Sequence, residues 1–125
     1  MNGILLRMMK RMLTFETFSV VVVPFPFTDQ DTTKRRPAVV LSNNSFNVSV
    51  GHSVLAMITS AKNSNWLHDV NISDLNSTGL SSASIVRMKL FTLDNRLIIR
   101  KAGILAHSDQ QAVIKAFNQL FDVNV

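Results

Sequence analysis

Three consecutive cations, Lys34, Arg35 and Arg36, close a short polar loop and stand directly before Pro37. The sequence is apolar on either side, with SVVVVPFPF ahead of the loop and PAVVLS after it. A guanidinium is planar, permanently charged and forked, and its fork matches two oxygens of one phosphate. Two apolar strands that present such a loop suit contact with a polyanion better than with a small apolar ligand. Other groups able to move protons are scattered. His52, His68 and His107 titrate in the useful range for a general base but share no motif. Trp66, the single tryptophan, offers either a face for a base to stack on or an anchor for its loop. The chain has no cysteine, hence no disulfide, thiolate zinc site or Cys nucleophile. No spacing of His, Asp and Glu suggests a metal site and no glycine-rich nucleotide motif is present, so no metal or cofactor is expected.

The 125 residues make one domain's worth of chain, with an expected radius of gyration of roughly 14 Å. Hydrophobic residues reach 46% and charged ones only 17%, a balance that excludes intrinsic disorder and leaves apolar surface for a partner. Thirteen Lys and Arg against eight Asp and Glu give a net charge of +5, which favours nucleic acid or an acidic protein as partner. No apolar run approaches the length of a transmembrane helix, so no membrane association is expected. Residues 1–14 form an N-terminal extension. Ile4, Leu5, Met8, Met9, Met12 and Leu13 recur at helical spacing, but Arg7, Lys10 and Arg11 interrupt them, unlike a signal peptide. The segment reads as a dispensable helix laid on the domain or as sequence ahead of a start at Met12. Residues 15–125 read as a single domain.

The elements that must position the cations follow from periodicity. Residues 19–27 read as a buried strand. Its Pro24 and Pro26 require a sheet edge, or a position past the end of a neighbour. Phe25 and Phe27 share the opposite face as core or interface anchors. Residues 28–36 are a loop, and 37–42 a second strand. Residues 43–51 read as an Asn- and Ser-rich loop, 53–59 as a third strand, and 69–72 as a half-exposed one. Residues 73–79 are a turn or short helix. Strands over 84–89 and 97–105 are joined by Phe91-Thr92-Leu93-Asp94-Asn95. The last element is a helix capped by Ser108, with Gln111 completing a capping box and Ala112, Val113, Ala116, Phe117, Leu120 and Phe121 on one face. Five to seven strands with one C-terminal helix and no βαβ rhythm predict a mainly β fold, a small, strongly bent antiparallel sheet or SH3-like barrel.

The stretches VVVVPFPFTDQDTTKRRPAVVLS, AMITS and GLSSASIVRMKLFTLD, in this order and spacing, closely resemble the MazF/PemK toxins of type II toxin–antitoxin systems. The resemblance runs from residue 19 to the final helix. It implies a homodimeric, cytoplasmic endoribonuclease that cuts single-stranded RNA without metal and is silenced by a cognate antitoxin. By position it implies Arg36 and Thr59 as the active-site pair and Arg87 as a further catalytic residue. Thr28, Lys34, Arg35, Ser60 and Lys89 are the implied RNA contacts. Some members carry Asp where this chain has Lys89, so no carboxylate stands there, and Phe18-Ser19 replaces a family glycine.

Metal-free RNA cleavage most simply employs the 2′-hydroxyl as nucleophile on the adjacent phosphorus. The protein must orient the backbone, spread charge on the phosphorane and handle two protons. On this reading Arg36 is the main electrostatic catalyst, Thr59 donates to a phosphate oxygen, and Arg87 is a second clamp or acid. Lys34 and Arg35 are steering charges. A plainer reading makes Arg87 a surface partner for Asp94 or Asp69. Two other functions compete: a CcdB-like, non-enzymatic inhibitor of DNA gyrase, and a plain nucleic-acid-binding barrel.

Overall fold

β1 (Ser19–Pro24) occupies the interior of a sheet, because its run of valines must be covered on both faces. The structure, a computed structural model, describes residues 3–4, 14–24, 34–63 and 65–121. Within these, β1, β2 (Arg35–Val40), β3 (His52–Ser60), β4 (Val70–Asn71), β5 (Ser84–Asp94) and β6 (Arg100–Ile104) form one antiparallel sheet in the order β4-β5-β3-β2-β1-β6. Two helices join it, α1 (Asn44–Val50) and the C-terminal α2 (His107–Leu120). The expected mainly β fold with a bent antiparallel sheet and a closing helix is borne out.

Strand parity divides the core in two. Val20, Val39, Ala56, Ile58 and Val86 face α2 and pack with Leu105, Val113 and Ala116. Val21, Val23, Ala38, Val40, Leu55 and Leu93 face the other way, with Ile98 and Phe15. Both faces are covered, so the strands read as continuous apolar runs instead of alternating ones. Each fully buried valine contributes about 1.5–3 kcal/mol relative to exposure.

The proline argument holds for the part of β1 that is described. β6 pairs with β1 only from Ser19↔Ile104 to Val22↔Arg100, so Pro24 lies past the end of that neighbour. Phe25, Pro26, Phe27 and the loop with Thr28 lie outside the described residues, as do residues 5–13 of the N-terminal extension.

Several boundaries differ from expectation. β2 begins at Arg35, two residues before Pro37, so Arg35 and Arg36 are strand residues instead of loop residues. Residues 43–51 hold a helix. The Asn43 side chain accepts the Phe46 N–H at 2.8 Å as N-cap, and Gly51 closes the C-terminus at φ 74. Its polar composition resembles a loop because its buried contact is itself polar, through Asn47. β5 runs 11 residues through most of the linker expected after residue 89, and a 3-10 turn, Asn95–Leu97, follows. The strand expected over 97–105 is β6, Arg100–Ile104. Of the half-exposed strand expected at 69–72, only Val70–Asn71 is paired.

The capping of α2 also departs. Its N-cap is Ala106, with no side-chain hydrogen bond, and Ser108 lies inside the helix. Asp109 turns outward from the helix and accepts the backbone N–H of Ser73 (2.9 Å), the Ser73 hydroxyl (2.8 Å) and the Asp74 N–H (3.0 Å). A capping box would satisfy α2 itself, whereas Asp109 ties α2 to the segment after β4.

A buried polar set holds the far end of the sheet. Ser53 Oγ donates to Asn95 Oδ1 at 2.6 Å, and Asn95 Nδ2 donates to the Asn47 carbonyl at 2.8 Å. Asn47 Nδ2 in turn donates to the Phe15 carbonyl at 3.0 Å. Nearer the other end, Gly79 and Gly103 let two backbones meet: a Cβ on Gly103 would lie 2.2 Å from the Ser77 carbonyl oxygen.

Candidate active site

β2 starts, β3 ends and β5 starts at the same end of the sheet. Ser60 pairs with Ser84, and Ala38 pairs with Met57. Continuing the second register by two residues sets Arg36 opposite Thr59, on the face that carries Ala38 and Met57. Arg36 and Thr59 are both half-buried, whereas Lys34, Arg35 and Ser60 are exposed.

A cleft of about 350 Å³ opens here. Arg35, Arg36 and Pro37 of β2 line it with Thr59 and Ser60 of β3, and Arg100 of β6 adds a third cation. The opposite wall is Ser81 and Ser82 of the segment before β5, with Ser84 at the start of β5. Among the described residues no carboxylate lines the cleft, so its field is positive and suits an anion. Thr59 Oγ1 accepts from Asn63 Nδ2 at 2.6 Å. A hydroxyl that accepts still has its own proton to donate, as a phosphate contact requires.

Arg87 stands apart from this lining. Met57 pairs with Arg87 and Thr59 with Ile85, so Arg87 is the diagonal neighbour of Thr59, with backbones roughly 7–8 Å apart. Its guanidinium is buried and engaged. Nε donates to Asp69 Oδ1 at 3.2 Å and Nη2 to Asp69 Oδ2 at 2.9 Å, while Cζ lies 4.8 Å from the centre of the Trp66 ring. Burial works to raise the Asp69 pKa. The hydrogen bonds from Arg87 and the Trp66 N–H, with the Arg87 charge, outweigh it and hold the carboxyl below its ordinary 3.8. Of the two partners weighed for Arg87, the structure selects Asp69, and Asp94 pairs instead with Arg96 at 2.7 Å.

Lys89 sits half-buried in a bulge. The register passes from Met57↔Arg87 to Ala56↔Leu90, which leaves Met88 and Lys89 without partners on β3. Thr28 lies outside the described residues. Among the described residues no three His, Asp or Glu side chains gather as a metal site, and no helix is long and apolar enough to cross a membrane.

The cleft also contains residues that the sequence reading did not single out, namely Arg100 and the serines before β5. Their only signal was composition, since no motif links a β6 arginine to a β2 arginine ahead of the pairing pattern.

A family model described as PemK-like, MazF-like toxin of type II toxin–antitoxin system matches residues 16–121. The chain belongs to this toxin family. The PemK/MazF-like fold is also found among solved structures. Mycobacterium tuberculosis toxin MazF-mt6 superposes with a TM-score of 0.69 at 19% identity, over 86% of this chain and 99% of its own. An endoribonuclease in complex with its cognate antitoxin, from a mycobacterial species, gives a TM-score of 0.71 at 14% identity, over 90% and 99%. A chain of a Deinococcus radiodurans MazE–MazF crystal structure gives 0.69 at 20% identity, over 88% and 97%. At these identities the superpositions establish the shared fold. No curated protein matches the sequence.

Proposed function

We propose that this PemK/MazF-like toxin is a metal-independent, sequence-selective endoribonuclease that cuts single-stranded RNA and thereby arrests growth. The observation that carries this reading is the meeting of Arg36 and Thr59 in one cationic cleft. The substrate's 2′-oxygen attacks the adjacent phosphorus and the bond to the 5′-oxygen breaks, giving a 2′,3′-cyclic phosphate and a 5′-hydroxyl. The proton lost by the 2′-hydroxyl passes to a base, and one is returned to the departing 5′-oxygen. Arg36 spreads the phosphorane charge and Thr59 donates to a non-bridging oxygen. Donors so aimed are each worth roughly 10²–10³ in rate. Arg87, buried and held by Asp69 beside Thr59, adds its positive charge to the field felt by the flanking phosphate. Arg35, Lys34, Ser60 and Lys89 contact the strand, and Thr28 contributes from the loop before β2.

The protein works as a cytoplasmic homodimer, neutralised by a cognate antitoxin. Relatives whose structures were solved with antitoxins support that partner. The decisive experiment incubates the protein with single-stranded RNA in EDTA and maps the ends. A cyclic phosphate at a recurrent sequence is expected. Intact RNA at high protein, with DNA gyrase inhibited instead, overturns the reading.

A further inference from the structure

We propose that Trp66 is a stacking platform for one unpaired base of the strand whose phosphate occupies the Arg36–Thr59 cleft, an inference that rests on the nuclease reading above. A tryptophan that merely anchors its loop buries its ring, but Trp66 is 47% exposed. One side of the indole is covered by the Arg87 guanidinium at 4.8 Å. Arg87 is fixed in turn by its two hydrogen bonds to Asp69. Asp69 also accepts the backbone N–H of Trp66 itself at 2.8 Å. The Asp69 N–H donates back to the Trp66 carbonyl at 3.2 Å, closing a turn in which His68 takes a left-handed φ of 69. The indole is therefore held at its backbone and on one face, with the rest of its surface left to solvent. A pre-positioned ring loses little freedom on binding, which is what a recognition surface needs.

The ring and the cleft belong to one neighbourhood. The segment carrying Trp66 leaves the sheet at Ser60, next to Thr59, and Asn63 in the same segment bonds the Thr59 hydroxyl. Arg87, beneath the ring, is the diagonal neighbour of Thr59. The charges favour a nucleotide as occupant. Arg36 and Arg100 line the cleft, Lys62 stands exposed in the segment, and the one carboxylate of residues 61–69 is already spent on Arg87. Asn63 and Asn65, both exposed in the same segment, add polar amide groups to it. Stacking accepts any base, so the platform contributes affinity and register, while the choice of base lies with polar contacts around it.

Because Trp66 is the single tryptophan, its emission reports this site alone. The whole protein is titrated with a dye-labelled single strand methylated at each 2′-oxygen, which cannot be cut, with binding followed independently by anisotropy. Saturable quenching of Trp66 that tracks the anisotropy is expected. Trp66→Ala is expected to weaken binding roughly 5- to 150-fold, Trp66→Phe to restore most of the loss, and Trp66→Leu to restore little. An abasic site at one position of the strand reproduces the loss in the wild type and adds nothing in Trp66→Ala. Binding with unchanged emission overturns the platform and leaves the nuclease reading intact. So does Leu serving as well as Phe, the result expected if Trp66 and the exposed Leu67 dock a protein. No binding of any single strand overturns both.

Discussion

Arg87 and Asp69 form a bidentate ion pair whose side chains are only 9% and 8% exposed. Removing one partner of such a pair strands a buried charge. Asp69→Ala is therefore expected to destabilise the fold by about 3–5 kcal/mol, read from urea denaturation. A loss under about 1 kcal/mol would show that water replaces the carboxylate at little cost.

Asp69 and Asp109 both have lowered pKa values. For Asp109, burial works upward, but the N–H groups of Ser73 and Asp74 and the Ser73 hydroxyl prevail. A carboxyl whose folded pKa lies below its unfolded value stabilises the fold above that unfolded value. The contribution disappears as pH falls through the folded one. Stability is thus expected to hold above about pH 5 and to fall from about pH 4 downward. Asp109→Asn should flatten that acid limb, and an unchanged limb would remove Asp109 from the linkage. Asp94, drawn to about 2 by Arg96, pairs with a solvent-exposed guanidinium and adds little.

Arg36→Ala is expected to lower the cleavage rate at saturating RNA by roughly 10²–10³ while thermal unfolding stays unchanged. Lys34→Ala, one residue outside β2, is expected to act on KM and to reduce the salt slope of binding by roughly 0.7. A cleavage defect in Arg36→Ala that disappears at high RNA would make Arg36 a binding group only.

His68 occupies the left-handed region at φ 69, where a side chain is strained. His68→Gly is expected to stabilise the fold by up to about 1 kcal/mol, and His68→Val to destabilise it by at least as much. Equal melting temperatures for all three would mean that the turn relaxes around whatever residue it holds.

The strands were legible because packing on both faces makes them continuous apolar runs, and the order of β1, β2 and β3 follows from them. Arg36 and Thr59 were singled out through the family resemblance, and the sheet register sets them opposite each other. What escaped detection was decided by long-range polar pairing. Nothing local announces that Asn47 will be buried, so residues 43–51 read as a loop although Asn43 and Gly51 are ordinary cap residues. Asp109 looked like a first-turn acid of α2, because Ser73 and Asp74 are 36 and 35 positions away. The engagement of Arg87 by Asp69 was one of two open options, and no sequence pattern chooses between Asp69 and Asp94.

The Ser53–Asn95 hydrogen bond lies six residues along β3 from Thr59, about 20 Å away at strand rise. β3 and β5 therefore behave as a pair of rulers clamped at one end and read at the other. A slip of one residue would break this buried bond and its continuation to Asn47. It would also turn Thr59 and Arg87 to the wrong sides of the sheet. Alignment of the cleft is thus guarded by three side chains that take no part in its lining. Substitutions at Ser53 or Asn95 should appear in a screen as losses of activity in correctly folded protein, with the fault a full strand's length from the cleft.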